Sequence, residues 1–324
     1  MNRTRYLEIR NSIDLTPHPK YLYFFWAQSL ALLAASLFIL IRFNESLWML
    51  LAVPLIAALM FRSFSFMHEA VHGLAAKNRH VNRALGIISG TLCLLAFDSW
   101  KTAHLEHHRW GGNIDKDPVA AMIKTFPTFP APLQTILSLG WKCWLPSLAV
   151  LQLLLFWVIT FRDTFKKGWD LGQVLSTAIP AVFWIGVFAF SPSRVTALVL
   201  LPSMLCYQVG VEIINAPHHL GLTYVRGETK LPIWDQYTIA RSCIYPKWLA
   251  RLIVLNFNYH TEHHMYPGVP WYHLDKLHPL VRADLKDKYN IDPSFAWILR
   301  NRPKNLSEVY ASPKTIDQHP VQAA

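Results

Sequence analysis

The chain has 324 residues, of which 52% are hydrophobic and only 16% are charged. Soluble domains usually carry about a quarter charged residues, so this composition excludes an ordinary soluble enzyme and indicates a membrane protein. The formal net charge of +11 does not indicate nucleic-acid binding, because the basic residues stand beside apolar runs, as they do in the cytoplasmic loops of membrane proteins.

Six apolar runs follow one another along the chain. A helix that spans a bilayer needs about 20 predominantly apolar residues. Four runs are predicted to form such helices, at about 21–41, 46–66, 174–190 and 195–214. The run at 84–97 is too short and contains two glycines, so we expect an interfacial or re-entrant segment there.

The sixth run, 144–161, is predicted not to cross the membrane. Histidine clusters precede and follow it, and they can form one site only if an even number of crossings separates them. The loop that follows, RDTFKKGWD (162–170), is basic, and basic loops lie in the cytoplasm. The sequence therefore predicts a multi-pass all-α membrane protein with four transmembrane helices, further interfacial or re-entrant helices, both termini in the cytoplasm and a histidine-rich cytoplasmic cap.

We predict a single domain over residues 1–310. The polar end of the chain, 311–324, has few residues that could be buried in a core, and such segments remain disordered. It is therefore predicted to be a disordered tail.

Three short motifs, HxxxH, HxxHH and HxxHH, hold eight of the 15 histidines. On a helix, positions i, i+3 and i+4 lie on one face, so each motif presents its imidazoles to one point. Imidazole suits iron, zinc or copper, and eight imidazoles are about twice what one tetrahedral zinc could use. We therefore predict two metal ions side by side. The eight predicted ligands are His68, His72, His104, His107, His108, His260, His263 and His264.

A fourth cluster, NAPHH, ends the last predicted span. His219 could supply a ninth nitrogen, and Asn215, one helical turn earlier, a contact through water. His218 is expected to be an exposed or hydrogen-bonded neighbour rather than a ligand. The five remaining histidines are expected to have surface or supporting roles: His18, His80, His273, His278 and His319.

Acidic residues within and just after the motifs could orient the imidazole rings. A metal-bound histidine almost always donates its other ring N–H to an acceptor. For Asp117, which precedes Pro118, a role in a turn explains the sequence equally well. The candidates for this supporting role are Glu69, Glu106, Glu262, Asp115 and Asp117.

Two other kinds of protein remain open at this point. The first motif, HEAVH, is also HExxH, the motif of zinc proteases, in which Glu69 would act as the base. That hypothesis leaves the other two motifs without a use. A metal-binding or transport protein without catalysis would also contain histidine clusters, but it would consume no O2.

The order of the motifs, together with HHRWGGNIDKDP and NYHTEHHMYPGVPWYHL around the second and third, resembles the integral-membrane fatty acid desaturase superfamily over roughly residues 20–280. The resemblance implies two non-haem irons held by eight or nine of these histidines, with O2 as co-substrate. It also implies a fatty acid or acyl-lipid substrate and an external electron donor of the ferredoxin, rubredoxin or cytochrome b5 type. The HxxxH motif is closer to acyl-lipid desaturases and carotenoid-modifying members than to acyl-CoA desaturases.

The predicted reaction is therefore the O2-dependent introduction of a C=C bond into a fatty acyl chain. The same site could instead hydroxylate a fatty acid, decarboxylate it to a terminal alkene or oxidise a carotenoid ring. We expect a tunnel between the helices to hold the chain, with a lining that includes Phe64, Phe97, Trp100 and Trp184.

Overall fold

The computed structural model describes residues 1–166, 170–228, 230–293 and 295–311, together with the backbone of 315–316. The described chain is mostly helical, as predicted. Its α-helices are, in chain order, α1 (Arg3–Asn11), α2 (Pro19–Arg42), α3 (Ala52–Val71), α4 (Arg79–Leu92), α5 (Phe97–Trp110), α6 (Ala121–Thr125), α7 (Ala131–Lys142), α8 (Ser147–Lys166), α9 (Leu171–Phe190), α10 (Ser193–Val195), α11 (Leu201–His219), α12 (His260–Met265), α13 (Leu274–Leu285), α14 (Ala296–Asn301) and α15 (Leu306–Tyr310).

Short 3-10 and π turns and four short strands complete the described secondary structure. The 3-10 helices are Leu47–Leu51, Phe126–Thr128, Ile233–Thr238, Trp271–His273 and Lys286–Lys288, and the π turns are Thr196–Leu200 and Leu249–Ile253. The strands form two parallel pairs: β1 (Tyr224–Val225) with β4 (Thr315–Ile316), and β2 (Ser242–Ile244) with β3 (Ile291–Pro293). Apart from Ala311 and the β4 backbone, the predicted disordered tail lies outside the described residues.

Five helical segments are long and apolar enough to span a membrane. They are Pro19–Arg42, Leu47–Val71, Ser147–Lys166, Leu171–Phe190 and Ser193–His219. Four of them coincide with the predicted spans. The fifth is α8, which covers most of the run that the sequence predicted not to cross. By length and composition alone, the described chain thus offers five candidate spans where the sequence predicted four.

Helices α4 and α5 form a sharply bent pair, with an angle of 100° between them. Two glycines on α4 allow α5 to begin close against it: a Cβ atom at Gly86 would lie 2.3 Å from the ring of Phe97, and one at Gly90 would lie 2.7 Å from the carbonyl oxygen of Leu95. The bend has the shape of either a re-entrant hairpin, as predicted for this run, or a broken span.

The N-terminal end of α8 is hydrogen-bonded to the half of α11 that carries the histidines. The backbone N–H groups of Leu148 and Ala149 donate to Oε2 of Glu212 at 2.9 and 3.2 Å. Glu212 precedes His219 by seven residues on α11, which is about 10 Å at the helical rise per residue. This end of α8 therefore lies nearer the histidines than the far end of α11.

The second end of α8 packs on the first half of α9. Thr164 and Thr177 share a hydrogen bond of 3.2 Å between their hydroxyl groups, and Gln173 of α9 donates to Ser99 of α5 at 2.7 Å. Because α5 leads directly into His104, this half of α9 also lies on the histidine side. Both ends of α8 thus contact the histidine side of the bundle, which supports the prediction that this helix does not cross.

Helix α3 is the central element of the core. It is buried almost continuously from Leu59 to Val71 and packs against α2, α4 and α11. The outer faces of the long helices are apolar instead, as at Ile41, which is 78% exposed, and Val182, which is 67% exposed. Exposed apolar faces of this kind suit a lipid environment, so the chain is a membrane protein whose first histidine motif lies at the end of the described helix with the most buried residues.

Candidate metal centre

The structure brings all nine predicted histidines together in two groups. In each group, one ring nitrogen of every member lies within 4.8 Å of those of the others. Group A consists of five residues, His68, His72, His104, His108 and His263. Group B consists of four residues, His107, His219, His260 and His264.

Helical spacing explains how the second and third motifs divide between the groups. On α5, His104 and His108 are four residues apart, lie on one face and belong to group A, whereas His107 turns toward group B. On α12, His260 and His264 have the same spacing and belong to group B, and His263 turns toward group A. Both helices therefore contribute to both groups and hold them side by side.

The nitrogens in each group are closely and regularly spaced. In group B the four Nε2 atoms form a closed quadrilateral. Its sides are 3.2 Å from His107 to His219, 2.8 Å from His219 to His260, 3.1 Å from His260 to His264 and 3.2 Å from His264 back to His107. In group A the Nε2 atoms of His72, His104, His108 and His263 form a chain with steps of 3.0, 3.0 and 2.9 Å.

These distances can be compared with those expected around a metal ion. Two nitrogens that bind one ion at about 2.1 Å lie about 3.0 Å apart when the angle at the ion is near 90°, and about 3.4 Å apart at the tetrahedral angle. The observed range of 2.8 to 3.2 Å fits neighbouring ligands at angles near 90°. Both groups therefore have the nitrogen spacing expected of ligands that share one ion.

Hydrogen bonds on the far side of three group B rings determine which nitrogen carries the proton. Nδ1 of His219 lies 2.9 Å from the carbonyl oxygen of Ile239, and Nδ1 of His107 lies 2.8 Å from the Asp117 carboxylate. Nδ1 of His264 lies 3.1 Å from Oε1 of Gln236. All three partners are acceptors, so each Nδ1 donates and each Nε2 of a neutral ring keeps its lone pair.

The charge states of the surrounding groups fit this arrangement. Burial would raise the pKa of Asp117, but the adjacent His107 and its hydrogen bond outweigh that effect, so the pKa lies below its ordinary value and the acid is a carboxylate. Burial, followed by the neighbouring imidazoles, lowers the pKa of His260, His263 and His264 well below the ordinary value. The rings of the third motif are therefore neutral at pH 7.

The donor set consequently fits a cation in each group. In group B the Nε2 atoms of His107 and His219 are 3.2 Å apart, and each carries a lone pair directed into the group. Two such lone pairs repel each other unless a positive ion binds both. In group A, Nε2 of His68 is buried and has no hydrogen-bond partner among the described residues. Neutral imidazoles with converging lone pairs are ligands for divalent transition metals such as iron.

Of the acidic residues predicted to orient the rings, Asp117 does so. It also accepts backbone N–H groups, from Gly112 at 3.0 Å and from Val119 at 2.8 Å. Both interpretations of Asp117 thus hold together: the residue organises the turn after the second motif and supports His107.

Two other predicted acids hold the protein around the site rather than its histidines. Oε1 of Glu69 is 3.9 Å from Nδ1 of His68, too far for a hydrogen bond, while its Oε2 accepts the backbone N–H of Trp271 at 3.0 Å. Glu262 accepts from His278 at 2.8 Å, from Tyr289 at 2.6 Å and from Ser242 at 2.6 Å. It thereby fastens α12 to α13 and β2.

The remaining residues that were predicted to support the histidines make no hydrogen bond to an imidazole of group A or group B within the described chain. Glu106 pairs with Arg109 at 3.2 Å and is 41% exposed, because two residues after His104 it faces away from the site. Asp115 pairs with Lys124 at the surface. Asn215 lies one turn before His219, as predicted, and its amide has no hydrogen bond within the described chain.

Several functional contacts were not predicted from the sequence. Gln236 and the carbonyl group of Ile239 come from the 3-10 helix Ile233–Thr238 and the residue after it, which contain no motif. His278, expected to have a surface or supporting role, supports the third motif through Glu262. No repeat or characteristic spacing in the sequence indicates Gln236 or Ile239, whereas the supporting role of His278 agrees with the expectation.

The ring of His218 is neither exposed nor hydrogen-bonded within the described chain, contrary to expectation. It is fully buried, and its two ring nitrogens have no partner among the described residues. Its ring stacks on that of His260, with centroids 4.2 Å apart and an angle of 9° between the planes. It therefore packs against group B without belonging to it.

A third group of possible ligands lies apart from the other two. Asp14, His18 and His273 have ligand atoms within 4.8 Å of one another, a proximity that the sequence analysis did not predict. His18 is already hydrogen-bonded to Asp14, with 2.7 Å between Nε2 and Oδ2. The backbone of His18 is also held in place by the Tyr272 hydroxyl, which accepts its N–H at 2.9 Å.

Three aromatic rings cover the side of the histidine groups that faces the helix bundle. We call Phe64, Trp100 and Phe257 the aromatic floor. Phe64 contacts the other two rings, at 5.7 Å for Trp100 and 5.9 Å for Phe257. Trp100 stacks on His104 at 4.6 Å. Phe257 contacts His68 of group A at 4.7 Å and His260 of group B at 5.0 Å, so it bridges the two groups.

The four residues predicted to line a tunnel divide into two pairs. Phe64 and Trp100 belong to the aromatic floor. The other two pack along α4 instead: Phe97 lies over Gly86, and Trp184 donates from its indole nitrogen to the carbonyl oxygen of Thr91 at 2.7 Å. Half of the predicted lining is thus placed at the histidines.

The chain matches the family described as fatty acid desaturase over residues 46–293. An sn-1 oleoyl-lipid 12-desaturase from Picosynechococcus sp. is 24% identical over 255 residues, which cover 73% of this chain and 69% of that protein. An sn-1 acyl-lipid omega-3 desaturase (ferredoxin) from Synechocystis sp. is 23% identical over 265 residues, 74% of this chain and 68% of that protein. A fatty acid desaturase from Bacillus subtilis is 25% identical over 240 residues, 70% of this chain and 67% of that protein. The matched range contains every member of groups A and B.

Proposed function

The chain belongs to the fatty acid desaturase family, and from that premise we propose that it is a non-haem diiron oxidoreductase that uses O2 to introduce a C=C bond into a fatty acyl chain. The observation that carries the proposal is the arrangement of five and four histidines in two adjoining groups with nitrogens spaced for angles near 90° at an ion. One iron would be held by group A and the other by group B. When bound, the two irons would supply the reaction with O2 that removes hydrogen from an unactivated C–H bond, which no side chain can do.

The protein's own residues prepare the site for this reaction. Asp117, Gln236 and the Ile239 carbonyl hold three rings of group B with their Nε2 lone pairs directed inward. The aromatic floor excludes water and presents an apolar surface to the acyl chain. Because the floor faces the helix bundle, we propose that the chain enters from the membrane side and lies across Phe257.

The reaction needs an electron donor as well as a lipid. Desaturation removes two hydrogen atoms from the chain, and two electrons with two protons complete the reduction of O2 to two water molecules. We propose a carrier of the ferredoxin, rubredoxin or cytochrome b5 type. The name of the Synechocystis relative, which includes ferredoxin, supports the first of these. The oleoyl-lipid and acyl-lipid relatives support a fatty acid or acyl-lipid substrate.

We propose a multi-pass protein with four crossings and with the histidine groups and both termini on the cytoplasmic side. The contacts at both ends of α8 support four crossings over five. The cytoplasmic orientation rests on the basic loops of the sequence, and a soluble carrier on that side could then reach the site.

Two observations oppose the zinc-protease hypothesis for HEAVH. His68 and His72 share group A with three further histidines, whereas catalytic zinc sites have three protein ligands and an open position. Glu69, the base in that hypothesis, is 3% exposed and accepts a backbone N–H from Trp271. It is therefore not directed at a metal-bound water.

Product analysis tests the proposal. We would express the chain in a bacterium with a ferredoxin and its reductase and analyse lipids, free fatty acids and headspace by mass spectrometry. We expect new unsaturated acyl chains that require O2 and disappear in His263→Ala. The matched control is His80→Ala, which removes an exposed histidine outside both groups and should leave the products unchanged.

Other products would change the reaction but keep the site. Hydroxy acids, terminal alkenes or oxidised carotenoids that disappear in His263→Ala would each replace desaturation with the corresponding reaction. An absence of any O2-dependent product, with metal content confirmed, would refute the proposed enzyme and leave a metal-binding protein.

A further inference from the structure

Gln236 makes hydrogen bonds to one residue of each histidine group although it belongs to no motif. It is in the 3-10 helix Ile233–Thr238, between α11 and α12, and is 5% exposed. The glycine pair after the second motif allows this close approach. A Cβ atom at Gly112 would lie 2.4 Å from the side chain of Ile239, and one at Gly111 would lie 2.9 Å from it.

The two hydrogen bonds of Gln236 leave no freedom in the orientation of its amide. Its Nε2 is 2.9 Å from the carbonyl oxygen of His108, which can only accept, so the NH2 end must point there. Its Oε1 is then the atom 3.1 Å from Nδ1 of His264, and that ring nitrogen must donate. The orientation of the amide thus sets the tautomer of His264.

The two residues held by Gln236 belong to different groups. His108 is a member of group A, and His264 is a member of group B. The amide of Gln236 donates at one end and accepts at the other, as these two partners require. A carboxylate could accept from His264 but could not donate to His108, and a thioether could do neither strongly.

We infer that Gln236 is a positioning residue for the metal centre, which fixes the Nε2 lone pair of His264 inward and ties that ligand to the helix that carries His108. This inference rests on the proposal that both groups hold metal ions. It assigns to a segment outside the motifs the task of keeping α12 and α5 in register.

The test is metal retention in the purified full chain, loaded with Co²⁺ and titrated with a chelator. Wild type should hold two ions. Loss of such a supporting hydrogen bond typically lowers metal affinity by about 10–100-fold. In Gln236→Met we therefore expect one ion to be lost at about 10–100-fold lower chelator concentration, with the other ion held as in wild type. The metal-free variant should remain folded and unfold in a single cooperative transition, because only two hydrogen bonds are lost.

Gln134→Met is the matched control. Gln134 also donates from its amide to backbone carbonyl groups, at 2.8 Å for Phe129, but it lies away from the histidines. The Gln134→Met variant should retain both ions as wild type does. If Gln236→Met also did so, the inference would be wrong. Loss of both ions together with a lower melting temperature would reveal a purely structural role, which also contradicts it.

A second variant separates the two hydrogen bonds. Gln236→Glu keeps an acceptor for Nδ1 of His264 and loses the donor to His108. We expect Gln236→Glu to bind the more weakly held ion more tightly than Gln236→Met does. We also expect it to shift the Co²⁺ absorption bands, because a carboxylate makes the His264 ring a stronger ligand. Binding as weak as in Gln236→Met, with unshifted bands, would refute the assigned role in setting the tautomer. A wild-type protein that binds fewer than two ions would instead refute the proposed diiron function.

Discussion

The nitrogen of each ring that faces away from the site determines whether the other nitrogen is available to a metal. Three rings of group B have such an outward partner in Asp117, Gln236 and Ile239. In group A, no Nδ1 makes a hydrogen bond within the described chain, and that of His108 is buried without one. Group B is therefore the better preorganised of the two, and its outward partners are where single substitutions should act.

Asp117→Asn tests this at the second motif. The carboxylate serves the ring of His107 and two backbone N–H groups at once. An asparagine must turn its NH2 toward one of these donors, so either His107 or Gly112 loses its acceptor. We expect about 10–100-fold weaker binding of one ion, measured by chelator titration. Asp115→Asn, which alters a surface ion pair only two residues away, should bind both ions normally, and equal loss in the two variants would contradict this role.

Phe257 is held by an uncommon backbone conformation. Leu255 and Asn256, which precede it, have φ angles of 49° and 54°, in the left-handed region that side chains other than glycine adopt infrequently. The amide of Asn256 stabilises the turn by donating to the carbonyl oxygen of Trp271 at 3.0 Å. Strained conformations of this kind are often found at functional sites, and here the strain places a ring against both histidine groups.

Substitution of Phe257 should therefore change where the acyl chain is oxidised. In Phe257→Leu we expect the double bond to spread over neighbouring carbons, because a smaller side chain leaves the acyl chain freer to slide. Metal content should remain that of wild type. Mass spectrometric location of the double bond provides the measurement. Phe61→Leu is the control, since Phe61 is about equally buried but its ring contacts no histidine ring in the described part of the chain. An unchanged double-bond position in Phe257→Leu would show that the ring does not position the chain.

At the scale of elements, α8 shows the limit of hydropathy as a guide. Its length and composition satisfy the criterion for a span, yet Glu212 binds its first turn and Thr177 binds its last. The argument from sidedness in the sequence also predicts that this run does not cross the membrane, for a different reason, since the histidines must share one face. Hydropathy indicates that a helix is in contact with lipid, but it does not indicate whether the helix runs across the membrane or along its surface.

Labelling with a membrane-impermeant maleimide distinguishes the two placements of α8. In a background with Cys143 and Cys206 replaced by Ala, we would introduce Lys166→Cys at the end of α8 and Ser193→Cys at the turn after α9. If α8 lies on the cytoplasmic side, Lys166→Cys reacts only in inside-out vesicles and Ser193→Cys only in right-side-out vesicles. Reaction of Lys166→Cys from the outside would instead establish α8 as a fifth crossing.

Across the whole molecule, the site combines residues that range from His68 to His264, nearly 200 positions apart in the sequence. The sequence could identify the ligands because helical spacing marks each motif locally. It could not divide them into groups A and B, since that depends on the angles between α3, α5, α11 and α12. Gln236 and Ile239 could not be predicted from the sequence for a related reason: each acts alone, from a segment that only the fold brings close to the histidines.

Because four helices meet at the histidines, metal removal should loosen one part of the molecule more than the rest. Helix α12 is six residues long and fully buried, and it supplies three rings whose lone pairs converge on the others. An ion that binds only the folded state stabilises it by mass action, so without metal the repulsion between these lone pairs should fall mainly on α12. We expect faster hydrogen exchange in peptides that contain His260–Met265 after chelation, while α2 and α9, which contribute no ligand, keep their protection. Restoring the metal should restore the protection, and His263→Ala should resemble the metal-free state even when metal is added. Uniform acceleration across all helices would show instead that the centre stabilises the whole bundle rather than the third motif.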